Sequence, residues 1–530
     1  MDKRKLRESI FRHLDGIVTA PVISALSKKK VLDFILANDN LELSEINEKF
    51  DSNEGYLNVA LRVLASQGFL NYDLNNESDV IKISSNSKTK DAFSHQNFYV
   101  DLAEFLADDD DVINSKELTE NLCKKWIQLF EKYKSFLNEN TEETSLNYQI
   151  QKHIEGALVG PIIIKLGMSG MFHKYFMEAS FSAEEFHKNP EYFGKILDYL
   201  SELGWFSKKG KNFQFTETGL FFARRATAYG VTVSYLPMFS KLDNLIFGKA
   251  SEIREIEDGE DEIHVNREMN VWGSGGAHLT YFKVIDEFII EIFNRALSEQ
   301  PKGILDMGCG NGALLQHLYE VIERQTLRGK HLEENPLFLV GADYNQAALK
   351  VTRANLIKND IWAKVIWGDI GNPQKLAEDL QSDYNIELSE LLNIRTFLDH
   401  NRIWEDVLDI NSDRISTSTG AFAFRGKRLS NQDVEENLLN HLKKWTPYVE
   451  KFGLLLIELH TLSPEITSKN LGLTASTAYD ATHGFSDQYI VEVDVFHRIC
   501  KESGLEPDTN LFKKFPDSEL ATVSINLLKR

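Results

Sequence analysis

The chain's 530 residues exceed what one hydrophobic core supports, so about two to four domains are expected. Its 42% hydrophobic and 26% charged composition is that of ordinary globular protein, and no uncharged apolar run reaches the roughly 18 residues of a membrane helix, so no membrane partner is expected. With 59 basic and 80 acidic residues the formal charge is −21, which repels phosphate backbones and argues against a nucleic-acid partner.

The first segment, MDKRKLRESIFRHLDG, lacks the apolar core of a signal peptide, so a cytoplasmic protein is expected. Cys123, Cys309 and Cys500 lie far apart without metal-ligand spacing, which fits a reducing compartment and no disulfide framework.

Two phrases then recur. HLDGIVTAPVISAL (13–26) returns as HIEGALVGPIIIKL (153–166), and YLNVALRVLASQGFL (56–70) as YFGKILDYLSELGWF (192–206), with Tyr56/Tyr192, Leu61/Leu197, Leu64/Leu200 and Gly68/Gly204 in register. Repetition at this distance predicts a duplicated helical module rather than a solenoid of short repeats. In each copy an apolar-periodic helix stops at a glycine suited to a left-handed cap, and two short extended segments follow, which is a winged-helix pattern. The candidate recognition segments LELSEINEKF (41–50) and FSAEEFHKNP (181–190) are acidic or mixed rather than basic. The modules therefore read as a scaffold that dimerises or shapes a substrate chamber, not as a DNA reader. The acidic runs ADDDDV (107–112) and EIREIEDGEDEI (252–263) read as solvated connectors. Expected domains are module 1 at 1–100, a helical connector at 101–150, module 2 at 151–250 and a catalytic domain at 265–530.

The strongest local pattern is ILDMGCGNGALLQHLYEVI (304–322), an apolar strand ending at Asp306, glycines at 308, 310 and 312, and a helix that starts at once. Glycine permits the tight turn and close ligand approach, and the helix start offers free amides and a positive dipole end. A second acid, Asp343, ends the strand LFLVGADYNQAAL (337–349), where it can accept both ribose hydroxyls. A third, Asp369 in AKVIWGDIGNP (363–373), is placed to meet an adenine amino group, with Ile370 against the ring. The insertion IERQTLRGKHLEENP (322–336) reads as a loop between the first two elements. LSELLNIRTFL (388–398), GLLLIELHTL (453–462) and ATVSINLL (521–528) supply further strands, so His400 and His460 are expected at carboxyl ends, where ligands collect in open α/β sheets.

At these residues the chain resembles class I S-adenosylmethionine-dependent methyltransferases. The resemblance implies an α/β fold: a Rossmann-like core at the C-terminus preceded by a mainly α half of duplicated winged-helix-like modules. It implies that Asp306, Gly308, Gly310 and Gly312 border the methionine part of S-adenosyl-L-methionine, that Asp343 holds the ribose, and that Asp369 and Ile370 meet the adenine, with Tyr344 and Trp272 as packing residues that shape the pocket. The longer phrases MNVWGSGGAHLTYF, AYGVTVSYLP, LDMGCGNG, ADYNQAAL, RTFLDHNR and IELHT are similar to bacterial natural-product methyltransferases of the apratoxin-type starter-module group. That narrower resemblance implies methyl transfer to an acyl or polyketide-like substrate, free or bound to an acyl carrier.

Methyl transfer is an in-line displacement in which the enzyme aligns the nucleophile and manages one proton. His400, Asp399 and His460 are the candidate catalytic residues, each with a structural rival: for His400, a hydrogen bond to Asp399 or Arg402. His278 and Arg402 are candidate substrate contacts. For carbon methylation a metal could stabilise an enolate, and His483 with Gln488, read as a loop before a strand-like stretch, can hold iron or manganese. The alternatives are oxygen methylation of a small molecule by a histidine base without metal, and a winged-helix scaffold that senses a ligand without turnover. A homodimer through the helical modules is one arrangement the sequence allows.

Overall fold

A computed structural model describes residues 2–176, 180–251, 262–407 and 414–530, apart from the side chains of 277–279. The chain divides into two units. The first comprises Met1–Ala277, Ala421–Leu429 and Ser463–Asp487; the second comprises His278–Gly420, Ser430–Leu462 and Gln488–Arg530. The division is therefore not linear, because two stretches of the C-terminal half fold with the first unit.

The repeated HxxG phrases lie in two long helices, Lys3–Lys28 and Leu146–Met168, interrupted by Pro21 and Pro161. Their middles are buried all round, apolar residues such as Ile17, Val18, Ile163 and Ile164 alongside polar His13, Asp15, His153 and Glu155. The helices touch backbone to backbone. A Cβ on Gly16 would stand 2.3 Å from His153 Cα, and one on Gly156 would stand 2.5 Å from His13 Cα. Only glycine permits that approach.

The winged-helix expectation holds in both copies. Helix Glu54–Ser66 stops at Gly68 (φ +72°), and strands β1 (Leu41–Glu42), β2 (Asn71–Asn75) and β3 (Val80–Ser84) pair antiparallel in the order β1-β3-β2. Helix Pro190–Glu202 stops at Gly204 (φ +79°), and β4 (Phe181–Ser182), β5 (Phe206–Lys209) and β6 (Asn212–Phe215) repeat the order as β4-β6-β5. After each glycine the chain closes the helix in the same way: Phe69 N–H donates to Leu64 O at 3.0 Å, and Trp205 N–H to Leu200 O at 2.8 Å.

The run ADDDDV is not a plain solvated connector. Asp109–Ile113 forms a π-helical turn, and Asp111 is buried, accepting from Thr119 Oγ1 and Asn121 Nδ2, both at 2.5 Å. Polar side chains eight and ten residues further on satisfy this buried carboxylate, which composition alone does not reveal. Of the second acidic run, residues 252–261 lie outside the described residues.

The second unit is built on one sheet. Strands β7 (Gly303–Met307), β8 (Phe338–Asp343), β9 (Lys364–Trp367) and β10 (Leu391–Thr396) precede a hairpin of the first unit, β11 (Phe422–Phe424) with β12 (Lys427–Leu429). Then follow β13 (Leu454–Leu459), β14 (Glu506–Pro507), β15 (Lys513–Phe515) and β16 (Val523–Lys529). The order is β14-β16-β13-β10-β7-β8-β9, with β15 also on β16; β9, β8, β7, β10 and β13 run parallel and β16 antiparallel to β13. Ile304, Ile394, Ile457 and Ile525 share a core with Phe282, Ile285 and Ile289. This is the expected Rossmann-like sheet with its predicted strands. The insertion 322–336 is pinned rather than loose, since buried Arg328 donates to Gln300 Oε1 at 2.9 Å and Pro301 O at 3.0 Å.

The segment around His483 departs from expectation. His483 sits in the helix Ser476–Gly484, and the strand-like stretch becomes the helix Val493–Glu502. The alternation in VEVDV imitates a strand, but Val495, Phe496, Ile499 and Cys500 recur at helical spacing and form the buried face.

Asp15, beside the helix crossing, is buried, and burial pushes its carboxyl up to about 7 despite opposing pulls from Gln67 and Arg12. Between the unfolded carboxylate range and pH 7 the folded protein binds more protons at this site, so its contribution to stability falls as pH rises. Asp15→Asn removes that slope. Denaturation midpoints at pH 5 and pH 8 should show the variant gaining on the parent protein at the higher pH.

Candidate active site

The turn after β7 uses three left-handed glycines: Gly308 at φ +81°, Gly310 at +55° and Gly312 at +79°. Gly308 and Cys309 N–H both donate to Ala342 O, at 2.7 and 3.1 Å, which ties the turn to the end of β8. Asp343 closes it: Oδ2 accepts from Gly310 N–H at 3.0 Å and Oδ1 from Asn345 N–H at 2.9 Å. Gly368 N–H donates to Asp343 O at 3.2 Å and joins β9 to the same edge. Asp369 accepts from Gly371 N–H at 2.8 Å, and buried Ile370 gives its carbonyl to Trp445 Nε1 at 2.7 Å. Tyr344 is 58% exposed with its ring against Trp367. Asp306, Asp343 and Asp369 thus stand at the carboxyl ends of three adjacent parallel strands.

Asp306 is 1% exposed and its Oδ1 has no hydrogen-bond partner. Burial first, and the Asp343 charge second, push its carboxyl up to about 7. A buried carboxylate without a partner beside an open glycine turn suits a cationic ligand, so these residues fit a cofactor with an ammonium and a sulfonium group.

The turn Asp399–Asn401 follows β10. His400 is buried and meets Glu458, at the end of β13, twice: its backbone N–H donates to Oε2 at 3.1 Å, and Nδ1 makes a short contact with Oε1. Glu458 is thus a partner of His400 that the sequence reading did not name. Asp399 is held by the Arg395 guanidinium at 2.6 Å and by His441 Nε2 at 2.9 Å. Burial alone would raise the Asp399 carboxyl, but Arg395 and His441 hold it well below the carboxylate range. Arg395 in turn lies 3.8 Å over the Trp445 ring. Arg402 donates to Asn437 Oδ1 (2.6 Å), Asp399 O (3.0 Å) and Val434 O (3.2 Å). His460 donates from Nδ1 to Val491 O at 3.0 Å and pairs through Nε2 with Ser524 Oγ at 2.6 Å; burial pulls its imidazole down to about 3.

Residues 262–526, half of the chain, match the family model described as the AprA MT2-like domain. The chain belongs to that family. It is an S-adenosylmethionine-dependent methyltransferase, and its N-terminal half matches the AprA winged helix domain over 155–249 and the AprA N-terminal domain over 6–72. No curated protein matches the chain. Among solved structures, the mitomycin 7-O-methyltransferase MmcR is 12% identical with a TM-score of 0.44, covering 72% of this chain and 97% of that one. Human N-acetylserotonin methyltransferase is 12% identical with a TM-score of 0.39 (74% and 100% covered), and the DszA carbon methyltransferase is 10% identical with a TM-score of 0.32 (75% and 96%).

Sequence reading of the methyltransferase missed three participants. Glu458 was visible as a charge inside the apolar strand GLLLIELHTL, and Arg395 as a charge inside LLNIRT; His441, in the middle of a helix, gave no signal. Of the metal candidates, His483 belongs to the first unit and Gln488 to the second. His483 Nδ1 donates to Tyr479 O at 2.7 Å. Among the described residues, no group of three or more His, Cys, Asp or Glu is arranged for a metal ion. These residues therefore give the expected iron or manganese no support. The side chain of His278 lies outside the described residues.

Calorimetry tests the cradle. A bound cation favours the ionised form of Asp306, so binding of S-adenosylmethionine should release a proton and tighten by at most about tenfold per pH unit from pH 5.5 to 7. Asp306→Asn should remove that pH dependence, and Asp343→Ala should weaken binding by at least about tenfold.

Proposed function

We propose that this methyltransferase transfers a methyl group to an acyl or polyketide-like acceptor, with His400 taking the acceptor's proton and Glu458 holding the imidazole. The observation that carries the reading is the double contact of Glu458 with the backbone N–H and Nδ1 of His400, at the carboxyl ends of neighbouring strands. A carboxylate on Nδ1 fixes the tautomer whose Nε2 accepts a proton, and it stabilises the imidazolium that results. When bound, S-adenosylmethionine supplies an electrophilic methyl group, with Asp306, the glycine turn, Asp343, Asp369 and Ile370 as the residues that would hold it. A neutral imidazole can take a proton from a hydroxyl, or from a carbon beside an acyl carbonyl, as transfer proceeds.

The remaining candidates support His400 rather than compete with it. Asp399 anchors the turn through Oδ1, which meets both Arg395 and His441, and those two partners hold it ionised and so a poor proton acceptor. Arg402 spans that turn and the helix Asn431–Val449. His460, fully enclosed with both nitrogens engaged, braces β13 against β16. The acyl or polyketide-like class of acceptor rests on the family resemblance of the longer sequence phrases.

His400→Ala should lower kcat by roughly 10²–10⁴-fold and leave S-adenosylmethionine affinity unchanged. Glu458→Gln should lower kcat less, because the imidazole loses the carboxylate that orients it. Labelled methyl transfer to a panel of free and carrier-bound acyl acceptors identifies the substrate. A His400→Ala enzyme within threefold of the parent, or no transfer to any acceptor, would sink the reading.

A further inference from the structure

The two modules of the first unit do more than repeat; they contact each other reciprocally. Where Gly16 of the first long helix meets His153 of the second, Gly156 of the second meets His13 of the first. The polar contacts obey the same exchange. His13 accepts at Nδ1 from Tyr229 O–H at 2.7 Å, and His153 accepts at Nδ1 from Tyr99 O–H at 2.9 Å. Tyr99 lies in the helix Gln96–Leu106 that follows the first wing, and Tyr229 in the helix Thr227–Ser234 that follows the second. Each histidine thus reaches across to the tyrosine of the other module. Even the tautomers correspond, since both Nε2 atoms donate: His13 to Glu155 Oε1 at 2.8 Å and His153 to Gln67 Oε1 at 3.1 Å. Contacts in which residue i meets j′ while i′ meets j are the mark of an isologous, two-fold interface. The buried side chains of both modules also form one continuous core, as an obligate dimer interface does.

We infer that the second module takes the place of a partner subunit: the crossing is a homodimer interface made within one chain, and this methyltransferase acts as a monomer. The residues around the axis support this, because they have diverged in a way a true homodimer forbids. Glu155 pairs with His13 and with Lys152 at 2.7 Å, while its counterpart Asp15 stands beside Gln67. Two identical chains cannot place Glu on one side of an axis and Asp on the other. The histidine–tyrosine exchange also selects the partner, since a module lacking the matching tyrosine would leave a buried imidazole unsatisfied.

The test uses the full chain. Light scattering after size exclusion should give a single species of 60.6 kDa from about 1 to 100 µM, and the turnover rate per chain should be constant over that range. A stable two-chain particle would overturn the inference. Gly16→Leu drives a side chain into the backbone of the other module and should lower the unfolding midpoint by about 5 °C or more. Gly194→Ala, where a Cβ meets nothing within 4 Å, should not lower it. An unchanged midpoint for Gly16→Leu would remove the crossing as the holding contact, and a Gly16→Leu protein that fails to fold leaves the mass of the parent protein to decide.

Discussion

The site depends on one electrostatic constraint: a buried carboxylate with one oxygen that no protein group satisfies. Asp306 is buried at the end of β7, one oxygen lacks a partner, and its neighbour across the turn, Asp343, is another acid. Leaving such a group charged is costly, which explains why its carboxyl titrates near neutrality. The glycine turn makes the arrangement useful, because backbone without Cβ atoms lets a cationic ligand come close enough to supply what Asp306 lacks. Asp343 differs in kind. Its two oxygens are engaged by Gly310 and Asn345, so it builds the turn as well as facing it.

The second group of charges is balanced differently. Around the turn after β10, Arg395 and Arg402 face Asp399 and Glu458, so two basic and two acidic side chains are buried together with His400 and His441. Buried charges persist when paired and hydrogen-bonded, and here Trp445 adds an aromatic face under Arg395. The proposed division of labour follows from geometry. Asp399 meets Arg395 and His441 through Oδ1, whereas Glu458 is directed at His400 from the neighbouring strand. Two acids close in space are thus set apart by their partners.

The N-terminal half shows how duplication changes what a scaffold must do. A module that presents a glycine face needs a partner, and a second copy in the same chain supplies one at high effective concentration. Freed from strict symmetry, the copies have diverged at Asp15 and Glu155 while keeping the glycines, histidines and tyrosines on which the crossing depends.

Motifs whose geometry is local were legible in the sequence. The strand–glycine–helix turn, the acids Asp343 and Asp369 at strand ends, and the helix–glycine–hairpin of each module are short-range arrangements that residue order dictates. The charge of −21 and the lack of a basic recognition segment are the grounds on which the sequence reading expects no nucleic-acid partner. What only the tertiary structure decided are contacts between residues far apart in the chain. Glu458 meets His400 from 58 residues away, His441 meets Asp399 from 42, and Tyr229 meets His13 from 216. The VEVDV alternation misled for the same reason: its apolar side chains bury as a helix because of what they pack against. Local backbone chemistry is written in sequence order; the pairing of buried charges depends on which strands and helices become neighbours.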